Sequence, residues 1–292
     1  MARILLFGAN GQVGWELRRA LMPLGELTAV TRKDCDLSDK DVLAAAIRSN
    51  RPGIIVNAAA YTAVDRAEED AGTAASINTD APAIMAEEAR SLGALLVDYS
   101  TDYVFDGTRQ GAYVETDATK PLNVYGRTKL AGQEAIEQSG CRYLIFRVSW
   151  VYSSRGNNFL RTMLRAAEQR TELRVVDDQV GTPVPADFIA DVSALALASL
   201  GAGSGDEGLF NLAPAGETSW HGFAVEIFNH VAKLGDFEVP VVEPIPASEY
   251  PTPARRPVNS RLDTTKLETA YKLFMPEWQM PMKRIVEEII LQ

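Results

Sequence analysis

Short apolar runs alternate with amphipathic segments along the first half of the chain. The runs contain few polar positions, which is typical of parallel strands buried on both faces of a sheet. They predict the strands Arg3–Phe7, Leu27–Thr31, Ile54–Asn57, Ala94–Tyr99 and Tyr143–Val148. The amphipathic segments predict the helices Gln12–Met22, Asp39–Ser49, Ala74–Leu92 and Val124–Gln138. This alternation predicts right-handed crossovers and an α/β fold with a Rossmann-type, doubly wound parallel sheet.

After Trp150 the alternation becomes less regular. The pattern still predicts the helices Asn158–Gln169, Ala186–Leu200, Ser219–Lys233 and Met282–Leu291, and the short strand Leu209–Leu212. Residues 201–208 are a glycine-rich loop, and residues 239–257 are too rich in proline to form one regular element. We therefore expect a Rossmann domain over residues 1–150. A smaller, mainly substrate-binding lobe should occupy residues 151–292 and return some elements to the main sheet.

A glycine-rich turn follows the first predicted strand, in the sequence ILLFGANGQVG. Gly8 permits a tight turn, Gly11 lets a pyrophosphate approach the backbone, and Gly14 lets the following helix pack close to the strand. The start of that helix offers free N–H groups and a partial positive charge to phosphates. Together, the strand, the turn and the helix predict that the domain 1–150 binds a dinucleotide cofactor.

The end of the second strand bears on the choice between NAD and NADP. An acidic residue there would accept the ribose hydroxyls, whereas an arginine would pair with a 2′-phosphate. Arg32 and Lys33 follow Thr31 directly, which favours NADPH. NADH stays open as the alternative, since the two cations also fit a solvated loop. Asp36 and Leu37 can meet the amino edge and the face of an adenine ring.

Tyr125 and Lys129 have the i, i+4 spacing that places both side chains on one face of a helix. A nearby ammonium lowers the pKa of a tyrosine from its usual value near ~10. Tyr125 can then protonate the oxygen that forms when a hydride reaches a carbonyl carbon. Thr101, at the end of the fourth strand, can align that carbonyl with Tyr125. The alternative is an ordinary surface helix, which the position next to the fourth strand disfavours.

Other features restrict the class of protein. His221 and His230 lie outside any metal-ligand pattern, so no metal site is predicted from spacing. The net charge of −10 argues against broad nucleic-acid binding. No apolar run is long enough to span a membrane, and the first residues lack the features of a signal peptide. Cys35 and Cys141 suit a reducing compartment. We expect a cytoplasmic protein that binds neither nucleic acid nor membranes.

Several segments resemble those of a known family. The segments ILLFGANGQVGWEL, VNAAAYTAVDRAE, STDYVFDG, NVYGRTK and TPARRPVNSRLD run from the start of the chain to near its end. They resemble the dTDP-4-dehydrorhamnose reductases, which belong to the extended short-chain dehydrogenases/reductases. The resemblance implies NAD(P)H-dependent reduction of the 4-keto group of dTDP-4-dehydro-β-L-rhamnose to dTDP-L-rhamnose, the last step of dTDP-rhamnose synthesis.

The resemblance also implies roles for individual residues. It makes Thr101, Tyr125 and Lys129 the catalytic residues. It further implies cofactor contacts at Asn10, Gly11, Gln12, Val13, Ala58, Ala59 and Ala60, and sugar-nucleotide contacts at Asp102, Trp150 and Asn158.

Three residues have a second interpretation. Arg255 and Arg256 could pair with the substrate diphosphate or form surface salt bridges. Trp150 could be an apolar wall for a deoxysugar or a core residue. Some members of the family are described with Mg²⁺ held by carboxylates between subunits, and Glu16 and Glu288 stand at matching positions. A homodimer and Mg²⁺ are therefore open expectations.

Two other functions compete with reduction. One is a non-catalytic, NADP-binding regulatory subunit of the methionine adenosyltransferase type, which keeps the fold and works as a binding partner. The other is an epimerase or dehydratase acting on a nucleotide sugar. The intact set of Thr101, Tyr125 and Lys129 disfavours the first. A dehydratase would be expected to place a glutamate near Thr101, where this chain has Asp102.

Overall fold

Strands and helices alternate through the first half of the computed structural model, which describes residues 2–235 and 237–291. The strands are β1 Ala2–Phe7, β2 Gly25–Val30, β3 Ile54–Asn57, β4 Leu95–Thr101, β5 Arg142–Val148, β6 Val151–Tyr152, β7 Glu172–Val176, β8 Val180–Gly181, β9 Val184–Pro185, β10 Gly208–Asn211, β11 Thr218–Ser219, β12 Val241–Ile245 and β13 Asn259–Ser260. The helices are α1 Gln12–Leu21, α2 Lys40–Asn50, α3 Val64–Ala67, α4 Ala71–Ala75, α5 Ala81–Leu92, α6 Val124–Gln138, α7 Phe159–Ala167, α8 Ala186–Gly201, α9 Trp220–Leu234, α10 Thr265–Tyr271 and α11 Gln279–Ile290. A π-helical turn, Ser76–Asp80, joins α4 to α5, and 3₁₀ turns cover Met22–Leu24, Asp102–Val104 and Ala247–Glu249.

The central sheet has six parallel strands in the order β2-β1-β3-β4-β5-β10. The chain moves outward from β1 to β2 and then crosses back to β3, so the strand order reverses between β1 and β3. In open parallel sheets, ligands bind at the carboxyl ends of the strands beside such a reversal. The prediction of an α/β fold with a doubly wound parallel sheet is confirmed.

Both faces of this sheet are covered by helices. On one face Leu6 packs in a cluster with Leu17 of α1 and Ile189 of α8. On the other face the neighbouring Leu5 packs with residues of α2 and α5, among them Leu43 and Met85. All six side chains are essentially inaccessible to water. Burial on both faces is the reason that β1 is an uninterrupted apolar run in the sequence.

The second half of the chain divides its elements between two places. β10 joins the main sheet beside β5, and α8 packs against α1. A separate apolar cluster holds α7, α9, α11 and β7 together. The division at residue 150 stays a prediction, while β10 and α8 show how far the later elements return to the main sheet.

The shortest strands do not stand out in the sequence. β12 lies within the proline-rich residues 239–257 and pairs with β7 in a two-stranded parallel sheet. A proline such as Pro244 is tolerated there because an edge strand need not donate every N–H group to a neighbour. The predicted helix 74–92 is longer than expected, since α4, the π-helical turn and α5 run on from Ala71 to Leu92. Among the described residues, no helix combines the length and the apolar character needed to cross a membrane.

Gly14 is the glycine whose replacement should damage the fold most clearly. A Cβ at this position would lie 2.0 Å from the carbonyl oxygen of Gly8, within the turn that joins β1 to α1. Gly14→Ala must therefore displace either the turn or the helix. We expect a loss of at least about 2 kcal/mol in the free energy of unfolding, measured by urea titration.

Gly72 provides the matched control. It lies in α4, and a Cβ there would meet no atom within 4 Å. Gly72→Ala should leave stability unchanged or raise it by up to about 1 kcal/mol, because alanine restricts the unfolded chain. Equal effects of the two substitutions would contradict the close approach assigned to Gly14.

Candidate active site

A cleft of about 870 Å³ opens at the carboxyl edge of the central sheet. Its lining includes these residues predicted to contact a cofactor: Gly8, Asn10, Gly11, Gln12, Val13, Arg32, Asp36, Leu37, Ala58, Ala59 and Ala60. It also includes Thr101, Asp102, Tyr125, Lys129 and Trp150. Of the predicted site residues, Gly14, Asn158, Arg255 and Arg256 lie outside the lining. The structure thus brings most of the predicted residues, from both halves of the chain, to one place.

The glycine turn has the backbone geometry that phosphate binding requires. Gly8 has a φ of +76°, and a Cβ there would lie 2.7 Å from the backbone of Ala58. The N–H of Gly11 donates to the carbonyl oxygen of Gly8 at 2.9 Å, and α1 begins at the next residue. The start of α1 therefore faces the cleft with its unpaired N–H groups and the positive end of its dipole.

Gln12 connects this turn to the loop 153–158. Its side-chain oxygen accepts hydrogen bonds from the Ser153 hydroxyl at 2.9 Å and from the Asn158 amide at 2.8 Å. Asn158 also caps α7, where its side chain accepts from the N–H of Arg161 at 3.0 Å. The sugar-nucleotide contact predicted for Asn158 stays a prediction, because the side chain is already held by Gln12 outside the cleft lining.

At the far end of the cleft, Arg32 and Asp36 form a pair. The Arg32 Nε lies 3.2 Å from the Asp36 carboxylate, and the Arg32 side chain is 74% exposed. The backbone and hydroxyl hydrogen bonds from Ser38 lower the pKa of Asp36, and the Arg32 pair lowers it further. Arg32 therefore reaches the cleft with one carboxylate partner and with most of its surface accessible.

The start of α6 places Tyr125 in the cleft. The Asn123 side chain accepts from the N–H of Gly126 at 2.8 Å and caps the helix. A Cβ on Gly126 would lie 2.2 Å from the carbonyl oxygen of Tyr103, so only glycine allows α6 to approach the turn 102–104 this closely. As a result the rings of Tyr103 and Tyr125 meet edge to face, with centroids 5.6 Å apart.

Lys129 lies one turn further along α6 and is paired with a residue that sequence reasoning missed. Its Nζ is 3.6 Å from the Asp98 carboxylate, and both side chains are only 3% exposed. The Asn57 amide donates to the other Asp98 oxygen at 2.6 Å. Asn57 and Asp98 are register partners on β3 and β4. An aspartate within the apolar run LLVDYST was the signal that could have identified this pair.

The electrostatics at Tyr125 differ from the expectation. Burial raises the pKa of Tyr125 above its usual range, the Thr101 hydroxyl lowers it, and the charges of Asp102 and Asp98 raise it again. The sequence prediction that Lys129 lowers the pKa of Tyr125 is wrong in its net direction. The physical reason is that Asp98 offsets the positive charge of Lys129, while burial penalises a phenolate.

Thr101 and Asp102 complete the polar end of the cleft. The Thr101 hydroxyl donates to Asp102 Oδ1 at 3.0 Å. Burial raises the pKa of Asp102 to about 6, against hydrogen bonds from Ser260 and Thr101 that lower it. The other oxygen, Oδ2, is buried and has no hydrogen-bond partner within the described part of the chain. A buried acceptor of this kind can be satisfied by a hydroxyl of a bound ligand.

Trp150 and Trp220 form an apolar wall of the cleft. Their rings are stacked, with centroids 3.6 Å apart and planes at 13°. Trp150 has a φ of +45°, which is rare for a bulky residue, and a Cβ on Gly181 would lie 2.8 Å from its ring. Trp150 is thus a wall residue held in an unusual conformation, and Trp220, which the sequence did not single out, supports it.

The rim near the glycine turn carries a second unpredicted pair. The guanidinium of Arg155 lies over the Trp15 ring, 4.2 Å from its centroid, and both residues line the cleft. Such a cation–π contact holds a positive charge beside the predicted pyrophosphate site.

Arg255 and Arg256 contact the protein rather than the cleft. Arg256 is paired with Asp65 at 2.8 Å, and the Ala254 N–H donates to the same carboxylate at 3.1 Å. The carbonyl oxygen of Arg255 accepts from the Asn123 side chain at 2.8 Å. In this arrangement the loop supports the start of α6, and a direct contact of either arginine with a diphosphate stays a prediction.

The two residues suggested for Mg²⁺ have polar partners within this chain, and a metal site shared between subunits stays a prediction. Glu16 and Glu288 share a second cleft, but Glu16 lies 3.7 Å from Arg19, and Glu288 accepts from the Ser154 hydroxyl at 2.7 Å. Over residues 2–235 and 237–291, no cluster of three or more His, Cys, Asp or Glu side chains could hold a metal ion. We therefore derive no step through Mg²⁺.

Comparison with known proteins gives matches along the whole chain. The dTDP-4-dehydrorhamnose reductase of Escherichia coli strain K12 is 46% identical over 291 residues, covering 98% of this chain and 97% of the relative. A crystal structure of a dTDP-4-dehydrorhamnose reductase from Clostridium acetobutylicum matches with a TM-score of 0.91 at 35% identity, covering 98% and 99% of the two chains. The Bacillus anthracis reductase, solved in complex with NADP, matches with the same TM-score at 32% identity and the same coverage. Residues 2–290 also match the family described as the RmlD substrate binding domain, and the chain belongs to this family.

Proposed function

We propose that this protein is an NAD(P)H-dependent reductase that converts the 4-keto group of dTDP-4-dehydro-β-L-rhamnose to the hydroxyl of dTDP-L-rhamnose. One observation carries the proposal: Thr101, Tyr125 and Lys129 line the same cleft as the glycine turn. Relatives that match at full length bear the name of this reductase.

The cleft suits a nicotinamide dinucleotide at its glycine end. The N–H groups of Gln12 and Val13 at the start of α1 would hold the pyrophosphate, and the backbone of 58–60 would lie along the nicotinamide. When bound, the cofactor supplies the hydride that reaches C4 of the sugar. Lys129 is placed to donate to a ribose hydroxyl. Gly8 lies so close to the backbone of Ala58 that a Cβ would not fit between them, so backbone atoms line this side of the cleft.

The protein's own residues supply the proton. Tyr125 holds its proton at neutral pH, because burial raises the pKa of its phenol. It gives that proton to the carbonyl oxygen as the hydride arrives, and the phenolate recovers a proton before the next turnover. With a ketone bound, the Thr101 hydroxyl would turn from Asp102 Oδ1 and donate to the same carbonyl oxygen, which aligns it. One hydride and one proton together convert the ketone to the alcohol.

Asp102 and Trp150 are placed to bind the sugar. The free oxygen of Asp102 can accept a sugar hydroxyl, and the stacked pair of Trp150 and Trp220 offers a flat apolar surface to the deoxygenated part of the ring. Trp150 is the last residue of the predicted domain 1–150, and Trp220 comes from the predicted lobe 151–292. This supports a substrate-binding role for the lobe 151–292.

We further propose that NADPH is the preferred cofactor. Arg32 lines the adenosine end of the cleft, and its largely exposed guanidinium can pair with a 2′-phosphate. The Asp36 carboxylate beside it orients the guanidinium. NADH remains usable in this account, because the other predicted cofactor contacts do not depend on the 2′-phosphate.

The competing functions have less support. A non-catalytic regulatory subunit would not require the polar end of the cleft, where Thr101 and Asp102 are buried and Tyr125 lines the cleft. For an epimerase or dehydratase, no observation among the described residues gives specific support.

Tyr125→Phe should abolish most of the turnover. Oxidation of NADPH is followed at 340 nm with dTDP-4-dehydro-β-L-rhamnose as substrate, and NADH is run alongside. Removing the proton donor should lower kcat by at least ~100-fold, the scale of positioned acid catalysis. The unchanged protein should turn over NADPH faster than NADH.

Tyr143→Phe is the matched control, since Tyr143 lies on β5 outside the cleft lining and should keep its rate. Protein that binds NADPH but reduces nothing with either cofactor would contradict the proposal. That outcome would favour the regulatory-subunit function.

Asp102→Asn should change how stability depends on pH. The folded protein raises the pKa of Asp102 from its usual 3.8 to about 6, so the folded state holds this proton more tightly than the unfolded chain does. The stability contributed by the protonated acid is present at low pH and is lost as the pH rises through about 6. Asparagine cannot ionise, so the stability of the variant relative to the unchanged protein should rise by about 2 kcal/mol between pH 4.5 and pH 8.

Urea unfolding at the two pH values measures this difference. The stability difference between the variant and the unchanged protein is obtained at each pH. Subtracting the difference at pH 4.5 from the difference at pH 8 removes any constant effect of the substitution on packing. If the variant and the unchanged protein differ in free energy of unfolding by the same amount at both pH values, Asp102 is already ionised at pH 4.5 in the folded protein.

A further inference from the structure

Asp98 is a buried acid that the proposed reaction does not use. It lies in the middle of β4, where all seven residues are buried, and it does not line the cleft. Its nearest charged partner is Lys129, with Oδ2 and Nζ 3.6 Å apart. An acid in such surroundings destabilises a fold unless it is paired.

The pair is connected to the cleft through Asn57. The Asn57 amide donates to Asp98 Oδ1 at 2.6 Å, and its own oxygen accepts from the N–H of Ala59 at 3.3 Å. Ala59 lies in the segment that lines the predicted nicotinamide side. The backbone of the cleft, Asn57, Asp98 and Lys129 thus form one continuous set of contacts.

The Asp98–Lys129 pair also determines the net charge near Tyr125. A lone ammonium on the next turn of α6 would favour the phenolate. Burial raises the pKa of Asp98, while the Lys129 ammonium and the Asn57 amide act to lower it. In its ionised form Asp98 offsets the positive charge of Lys129, and its own charge acts to raise the pKa of Tyr125. A general acid for a ketone must keep its proton until the hydride arrives.

We propose that Asp98 is a positioning residue for the reduction: it fixes the Lys129 ammonium in place and balances its charge, so that Tyr125 keeps the proton it transfers. This inference rests on the proposed function. The i, i+4 spacing of Tyr125 and Lys129 predicted a different role for the lysine, in which its charge acts on Tyr125 alone.

Three other titratable groups lie near the pair. They are Tyr125 on α6, Tyr99 on β4 and Asp102 in the turn that follows β4, and the charge of Asp98 reaches both tyrosines. β3 contributes the uncharged Asn57, and β5 places Ile145 opposite Asp98. Asp102 is an acid at the cleft and acts on Tyr125 in the same direction as Asp98. Lys129 is the cation that the buried carboxylate contacts.

The first test is the pH profile of kcat for Asp98→Asn. The introduced amide oxygen can still accept from the Lys129 ammonium, but the negative charge is gone. The unbalanced ammonium then favours the phenolate of Tyr125, so the alkaline limb of kcat should move to lower pH by at least about one unit. The unchanged protein should keep its rate to higher pH. If the alkaline limb of Asp98→Asn lies at the same pH as in the unchanged protein and the variant only loses stability, the proposal is overturned.

A second readout needs no substrate or cofactor. Tyrosinate absorbance is titrated with and without Tyr125→Phe, and the difference isolates the Tyr125 phenol. In the Asp98→Asn background this difference signal should appear at lower pH than in the unchanged protein. Identical titrations in the two backgrounds would also overturn the proposal.

A double-substitution cycle separates positioning from general damage. If Asp98 acts through Lys129, adding Asp98→Asn to Lys129→Met should change kcat by less than about twofold, whereas Asp98→Asn alone lowers it by about tenfold or more. Additive losses would contradict a role through Lys129.

Glu88→Gln provides the matched control. Glu88 is a mostly buried acid on α5 that pairs with Arg48 away from the cleft. Its substitution should affect stability and leave the pH profile of kcat unchanged. Failure of the proposed function is recognised separately, because the unchanged protein would then show no turnover at all.

Discussion

The burial of the central sheet on both faces is the constraint on which the rest of the structure depends. Helices cover each face, and the last four residues of β1 and all seven of β4 are buried. Polar groups that must meet a ligand can therefore emerge only where the strands end. The glycine turn after β1, the backbone after Asn57 and the hydroxyl of Thr101 all lie at this edge. The strand order, which reverses between β1 and β3, brings these ends together around one cleft.

Two buried cations, Arg147 and Lys129, show how charged groups are accommodated in this apolar interior. Arg147 on β5 is 2% exposed, and burial lowers the pKa of its guanidinium to about 10. Its Nε donates to the Gln133 side chain at 3.1 Å. Lys129 lies on the same helix as Gln133 and is paired with Asp98 instead. Both cations are held by partners on elements that the sheet has already fixed, so their positions are as rigid as the core itself.

The sequence predicted the features that depend on local pattern. The fully apolar runs gave the strands of the main sheet, and glycine spacing predicted the turn at Gly8 because a Cβ there would strike the neighbouring backbone. The i, i+4 spacing correctly placed Tyr125 and Lys129 on one side of α6, at the cleft.

The features that the sequence missed depend on contacts between distant segments. Trp220 meets Trp150 only because α9 packs back towards the sheet, and no local pattern marks it. Two-residue strands such as β8 are too short to show a periodicity. The direction of the pKa shift at Tyr125 was also out of reach, because it depends on a register between β3 and β4 that brings Asn57 to Asp98 and so to Lys129.

The central claim is that a hydride from a nicotinamide cofactor reaches C4 of the sugar within this cleft. The most direct measurement uses NADPH that carries deuterium at C4 of the nicotinamide, with each stereoisomer tested in turn against dTDP-4-dehydro-β-L-rhamnose. The account predicts that one stereoisomer gives dTDP-L-rhamnose with a single deuterium at C4 of the sugar, detected by mass spectrometry and NMR. A reduced product without deuterium from either stereoisomer, or no product from protein that binds the cofactor, would contradict it.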